Sequence, residues 1–107
     1  MLNADEIYKE VLASGEAWAD AKAAYEALSD NTKSVLADIT SNFMDGKMSR
    51  SEAEMRALAS GEYKVHLASV KAARKAWLFA QVRYDSIKML AELRRSQEST
   101  RRAEMQL

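Results

Sequence analysis

The sequence predicts an all-α protein, either a helical hairpin or a three-helix arrangement, with a long C-terminal helix that is partly coiled coil. The 107-residue chain has no proline and three glycines, and neither residue type occurs after Gly61. Apolar side chains recur at alternating three- and four-residue steps, the spacing of helices that pack side by side, and no stretch alternates as a strand would. We expect a single helical domain over residues 1–107.

Helix 1 is predicted over residues 4–28. Asn3 followed by Glu6 has the form of a capping box, in which each residue accepts a hydrogen bond from the backbone of the other. Beyond it, one side of the helix carries a heptad seam about three repeats long. The seam residues are Ile7, Val11, Ser14, Trp18, Ala21, Tyr25 and Leu28.

Helix 2 is predicted over residues 31–44. Residues 29–31, Ser-Asp-Asn, indicate a break in the first helix and a new N-terminal cap, because short polar side chains satisfy free backbone N–H groups. Val35, Leu36, Ile39 and Phe43 then give the segment one apolar side. The sequence Asp-Gly-Lys at residues 45–47 ends it.

Helix 3 is predicted over residues 50–105, with a second capping pattern formed by Ser49 and Glu52. A serine and a glycine predict an interruption near residues 60–61. Residues 96–107 are expected to fray, because Ser96, Ser99 and Thr100 weaken a helix.

Two heptad series lie on one side of helix 3. Large residues alternate with small ones along this side, which favours close packing against the Trp18 and Tyr25 side of helix 1 because alanines let helix backbones approach and aromatic rings fill the gaps. The first series is Tyr63, Val70, Trp77, Tyr84 and Ala91, and the second is His66, Ala73, Ala80, Ile87 and Arg94.

Leu78, Phe79 and Val82 point away from this seam, so the helix is apolar on more than one side. This second apolar side predicts self-association; in a monomer, helix 2 would have to fold over it. The residues expected at the core or in an oligomer seam are Trp18, Tyr25, Tyr63, Val70, Trp77, Leu78, Phe79, Val82, Tyr84 and Ile87.

The sequence argues against catalysis. There is no cysteine, His66 is the only histidine, and no phosphate-binding, dinucleotide-binding or nucleophile motif occurs. We therefore expect no enzyme activity, no metal and no cofactor. Residues 1–15 are acidic where a signal peptide would be basic and apolar, and no apolar run approaches the length of a membrane span. The expected location is the cytoplasm, or the host cytoplasm if the protein is encoded by a phage.

Charge divides the neutral chain into an acidic and a basic part. Residues 1–63 contain six Lys or Arg and twelve Asp or Glu, whereas residues 64–107 contain ten and four. Arginines seven residues apart lie about 10 Å apart on one side of a helix and can clamp successive phosphates. The candidate nucleic-acid contacts are Lys71, Arg74, Lys75, Arg83, Lys88, Arg94, Arg95, Arg101 and Arg102.

Aromatic side chains among these cations can stack on bases if they are exposed, and Trp77, Phe79 and Tyr84 are the candidates. The alternative is an ordinary solvated helix flank, in which the same cations pair with glutamates of their own helix.

The acidic first half, the long basic helix and the segment Ala-Gln-Val-Arg-Tyr-Asp at residues 80–85 resemble the small helical recombination mediators of tailed phages. The resemblance implies ring assembly, binding of single-stranded DNA and loading of a recombinase onto strands covered by single-strand-binding protein. It also implies that Arg83 contacts DNA, and the charge pattern adds Lys75 and Lys88.

The sequence leaves two further functions open. A short, Met-rich helical chain without cysteine is also similar to phage-encoded accessory proteins that inhibit host defence proteins, so a helical adaptor or inhibitor is the alternative. A purely structural coiled-coil component is the third. The expected partners are further copies of the chain, single-stranded nucleic acid or a host protein, and no membrane.

Overall fold

The computed structural model describes residues 3–106, which form four α-helices and no strand. α1 spans Ala4–Asp30, α2 Thr32–Phe43, α3 Arg50–Ala59 and α4 Gly61–Met105. The predicted all-α class and long C-terminal helix are confirmed, and the predicted third helix is divided into α3 and α4. Met1, Leu2 and Leu107, the ends of the expected domain, lie outside the described residues.

The described chain is a rod of 87 × 18 × 17 Å with a radius of gyration of 23.7 Å. A compact domain of this length would have a radius of gyration near ~13 Å. Because α4 alone is 45 residues long, it spans roughly 68 Å at 1.5 Å per residue. α4 therefore accounts for most of the length of the rod.

α1 and α4 pack antiparallel along the heptad seam. Tyr84 stacks on Trp18 with ring centroids 6.0 Å apart, and Trp77 stacks on Tyr25 at 5.4 Å. The α4 residues of both heptad series are half-buried, and on α1 Ile7 and Ser14 are buried. A two-helix layer covers each seam residue from one side only, which explains why no large side chain among residues 3–106 is fully buried.

The junction between α1 and α2 differs from the predicted cap. Asn31 has right-handed helical dihedrals, φ −81° and ψ −7°, and its side chain makes no capping hydrogen bond. Its N–H donates to the Ala27 carbonyl at 3.2 Å, and its own carbonyl accepts from Val35 at 3.0 Å. A side-chain cap requires an extended backbone at the capping residue. Here helical hydrogen bonding continues across the junction, so the backbone itself supplies the missing partners.

α2 and α3 form a short second layer at the far end of the rod. Ile39 of α2 is buried there, together with Ala53 and Ala57 of α3, both fully inaccessible to solvent. The alanines let the two helix backbones approach closely. Ser49 caps α3 by accepting a hydrogen bond from the Glu52 N–H at 3.2 Å. Ser60 caps α4 in the same way through Tyr63, at the place where the sequence predicts an interruption.

Residues 96–105, which are predicted to fray, are helical in this structure and belong to α4. The hydroxyl of Thr100 donates to the Ser96 carbonyl at 3.0 Å, so it bonds within the helix instead of competing with it. Arg94 and Glu98 add an ion pair one turn apart at 3.7 Å. Leu107 lies outside the described residues.

The second apolar side of α4 is not covered by α2. Thr32, at the start of α2, lies beside His66, so α2 packs near the beginning of α4 and not over its middle. Leu78, Phe79 and Val82 are consequently exposed. The monomeric alternative, with helix 2 folded over this side, is wrong.

Candidate nucleic-acid interface

Four cations of α4 lie in one line along the helix. Arg74, Lys88, Arg95 and Arg102 occupy the heptad position that comes directly after the second heptad series, and all four are exposed. Gln81 holds the same position between Arg74 and Lys88. Seven residues advance the helix by about 10 Å and return to nearly the same side. We call these four residues the basic row.

Three members of the basic row are unpaired. Within residues 3–106, no carboxylate lies at ion-pair distance from Arg74, Arg95 or Arg102. Lys88 differs, because its ammonium group lies 3.4 Å from Asp85 and 4.4 Å from the ring centroid of Tyr84. The three guanidinium groups are therefore free to donate hydrogen bonds to phosphate oxygens without breaking an ion pair.

The C-terminal end of α4 extends beyond α1. Ala4, the first residue of α1, lies in a shallow groove that also contains Arg94, Arg95 and Glu98. All residues from 99 to 105 are exposed. Arg101 and Arg102 thus project from the end of the rod, where a strand can reach them from several directions.

The first three of the candidate cations lie together in a cluster at one end of the basic row. Lys71, Arg74 and Lys75 line one shallow groove with Leu78, Phe79 and Val82. The Lys75 ammonium lies 5.6 Å from the Phe79 ring centroid. Arg74 belongs both to this cluster and to the basic row, so the two surfaces are continuous.

Arg83 and Arg94 are placed apart from the basic row. Arg83 precedes a seam residue instead of following one, which puts it on the other side of the α1–α4 contact. Its guanidinium lies 3.5 Å from the Glu10 carboxylate of α1. Arg94 belongs to the seam itself, is half-buried and pairs with Glu98.

The three candidate base-stacking aromatics differ in exposure. The rings of Trp77 and Tyr84 stack on aromatic rings of α1 and are half-buried. Phe79 is 64% exposed. Of these three rings, Phe79 alone presents a face that can stack on a base.

The chain's one histidine has a structural contact. His66 Nε2 lies 2.9 Å from the hydroxyl of Thr32, which joins the α1–α2 junction to α4. Within residues 3–106, no group of three or more His, Asp or Glu side chains is placed to hold a metal ion.

The exposed apolar surface of α4 is longer than the sequence analysis indicated. Met89 and Leu93 are exposed on the same side as Phe79 and Val82, and so is Val65. These residues belong to two further heptad series on another side of α4, each shifted by two residues from a series that packs against α1. Extending the spacing of Phe79 and Val82 in both directions would have found them.

Comparison with protein-family models, curated proteins and solved structures finds no match. Within residues 3–106, no helix combines the length and apolar character needed to cross a membrane.

Proposed function

We propose that this protein is a non-enzymatic helical accessory protein that binds nucleic acid, foremost single-stranded DNA, through the basic row of α4. The observation that supports the proposal is the alignment of three unpaired arginines on one exposed side of a long helix. Arg95 and Arg102 lie about 10 Å apart along the helix, so their guanidinium groups can contact nearby phosphates of one strand. Base stacking on Phe79 would add an attraction that does not depend on base sequence.

Ring assembly and a role in phage DNA recombination rest on the resemblance described above. The proposed contact between Arg83 and DNA rests on the same resemblance. Its ion pair with Glu10 is exposed and therefore weak, so a strand could displace the carboxylate.

The proposal is tested by removing two charges from the basic row. The variant Arg95→Gln/Arg102→Gln loses two phosphate contacts. For a single strand, the slope of log affinity against log salt should then fall by about 0.7 per lost contact. Binding of a labelled single-stranded oligonucleotide, followed by fluorescence anisotropy at several salt concentrations, measures this slope.

The matched control is Arg50→Gln/Arg56→Gln in α3. It changes the same residue type, removes the same net charge and affects only exposed residues. Its slope should stay at the wild-type value. Equal losses in both variants would mean that binding follows net charge alone, and the basic row would not be the contact surface.

An alternative function is a helical adaptor or an inhibitor of a host protein. The exposed apolar side of α4 is the observation that favours a protein ligand. Under this alternative, nucleic acid binds negligibly at physiological salt, and a specific host protein is retained by the immobilised chain.

A further inference from the structure

One face of α4 carries an exposed heptad series that has almost no charge. We call it the outer seam. It consists of Val65, Ala68, Ala72, Lys75, Phe79, Val82, Ser86, Met89, Leu93 and Ser96, all of them exposed. Phe79, Val82 and Met89 are 64%, 63% and 70% exposed, respectively.

The composition of the outer seam differs from that of the rest of the helix. Fifteen of the 45 residues of α4 are Lys, Arg, Asp or Glu, but Lys75 is the only one among the ten seam residues. A solvated helix face is normally its most polar side. A long apolar face instead indicates a surface that another helix covers.

Charges beside the outer seam indicate what covers it. Each of five residues directly precedes a seam residue, and together they form the flanking row: Lys64, Lys71, Leu78, Asp85 and Glu92. The row is basic at its start, apolar at its centre and acidic at its end. A row with this symmetry is complementary to itself when its direction is reversed.

We propose that α4 pairs antiparallel with α4 of a second copy through the outer seam, with Leu78 near the crossing point. In that arrangement the flanking rows of the two copies face each other. Lys71 then lies beside Asp85 of the second copy, and Lys64 lies beside Glu92 of the second copy. A shift by one heptad replaces these two attractions with a single one, because it brings Lys71 beside Glu92 of the second copy.

Parallel pairing lacks this complementarity. In a parallel pair, the flanking row of one helix faces a different row of the second copy, which lies on the other side of the outer seam. That row consists of Ser69, Ala76, Arg83, Leu90 and Gln97. No basic residue then meets an acidic one. Parallel pairing also brings Lys75 against Lys75 of the second copy within the seam, whereas antiparallel pairing separates them.

The antiparallel pair has a consequence for the basic row. On the helix surface the basic row is the neighbour of the flanking row, on its far side from the outer seam. Since the two flanking rows meet on one side of the pair, both basic rows lie on that side. The dimer would present two lines of arginines on a single face. Dimerisation itself does not depend on the proposed nucleic-acid binding. The pair covers Phe79, so base stacking on this ring belongs to the single chain, and the dimer would bind a strand through its two basic rows.

The first test is the molecular mass in solution, measured by sedimentation over a range of concentrations. The wild-type chain should form a dimer. The variant Val82→Lys/Met89→Lys should raise the dissociation constant at least about 100-fold, because two charges enter the centre of the contact. The matched control is Met55→Lys in α3, since Met55 is 71% exposed and Met89 is 70% exposed; it should change the constant less than about twofold.

The second test uses the absence of cysteine from the sequence. Single-cysteine variants Leu78→Cys and Leu93→Cys are treated with a short bismaleimide. Antiparallel pairing predicts a cross-linked dimer for Leu78→Cys and none for Leu93→Cys, whose two copies lie far apart at opposite ends of the contact. Equal cross-linking of both variants would show a parallel pair, and a monomer at all concentrations would show no pair; either result overturns the proposal.

Discussion

Tyr84 of α4 packs directly against the backbone of Gly15 in α1. A Cβ atom placed on Gly15 would lie 3.1 Å from Cε1 and 3.3 Å from Cζ of the tyrosine ring. The same ring stacks on Trp18 and carries the ammonium group of Lys88 over it at 4.4 Å. Gly15 thus provides the space in which the central aromatic pair of the rod is formed.

The first prediction concerns this space. Gly15→Val should lower the free energy of unfolding by about 1–3 kcal/mol, because the branched side chain forces the Tyr84 ring out of its position. Chemical denaturation at equal protein concentration measures the change. Ala19→Val, on an exposed position of the same helix, carries the cost of a β-branched residue without the contact. If both variants lose the same stability, the contact between Gly15 and Tyr84 is unimportant.

The second prediction concerns Trp77, which stacks on Tyr25 with ring planes 16° apart. Its indole Nε1 is buried and has no hydrogen-bond acceptor among residues 3–106. Trp77→Ala should cost about 2–3 kcal/mol of stability, below the range for a fully buried tryptophan because one side of the ring remains partly exposed. Trp77→Phe keeps the stacking and removes the unsatisfied N–H group, so it should cost less than about 1.5 kcal/mol.

Urea denaturation of the two Trp77 variants gives both values. If Trp77→Ala and Trp77→Phe lose the same free energy of unfolding, the loss comes from the indole N–H and not from the ring. That result would contradict the account, because this N–H group has no hydrogen-bond acceptor among residues 3–106.

The third prediction concerns the hydrogen bond between Thr32 and His66. Thr32→Val keeps the shape of the side chain and removes its hydroxyl, leaving the imidazole nitrogen without this partner. The expected cost is about 1 kcal/mol, the usual net value of such a bond. The control is Thr100→Val, where the hydroxyl bonds only to the backbone of its own helix and the change should stay within about 0.5 kcal/mol. A cost no larger at Thr32 than at Thr100 would mean that the contact with His66 stabilises nothing.

The heptad pattern was sufficient to predict which sides of α1 and α4 meet. The repeat fixes the side of the helix on which each side chain lies. Antiparallel alignment of α1 and α4 is then enough to bring the rings of both aromatic pairs together. The form of the break at Asn31 was harder to predict from the sequence, because an asparagine caps a helix only when its backbone is extended. The backbone of Asn31 stays helical, so the same residue that indicated a cap became part of a nearly continuous helical segment.

The candidate site was predictable in composition but not in arrangement. A seven-residue spacing places Arg95 and Arg102 together whatever α4 packs against. The pairing of Arg83 with Glu10 depends on the register between two helices far apart in sequence, which charge patterns do not encode. The stacking of Trp77 and Tyr84 inside the rod, which leaves Phe79 as the exposed ring of the three, depends on the same register.

The central claim is that the basic row of α4 binds single-stranded nucleic acid. It is tested most directly by titrating a labelled single-stranded oligonucleotide with the wild-type chain at low and near-physiological salt, with duplex as competitor. We predict saturable binding that persists at near-physiological salt and is not displaced by an equal amount of duplex. Absence of binding even at low salt would contradict the claim, because neutralisation of phosphates is strongest there.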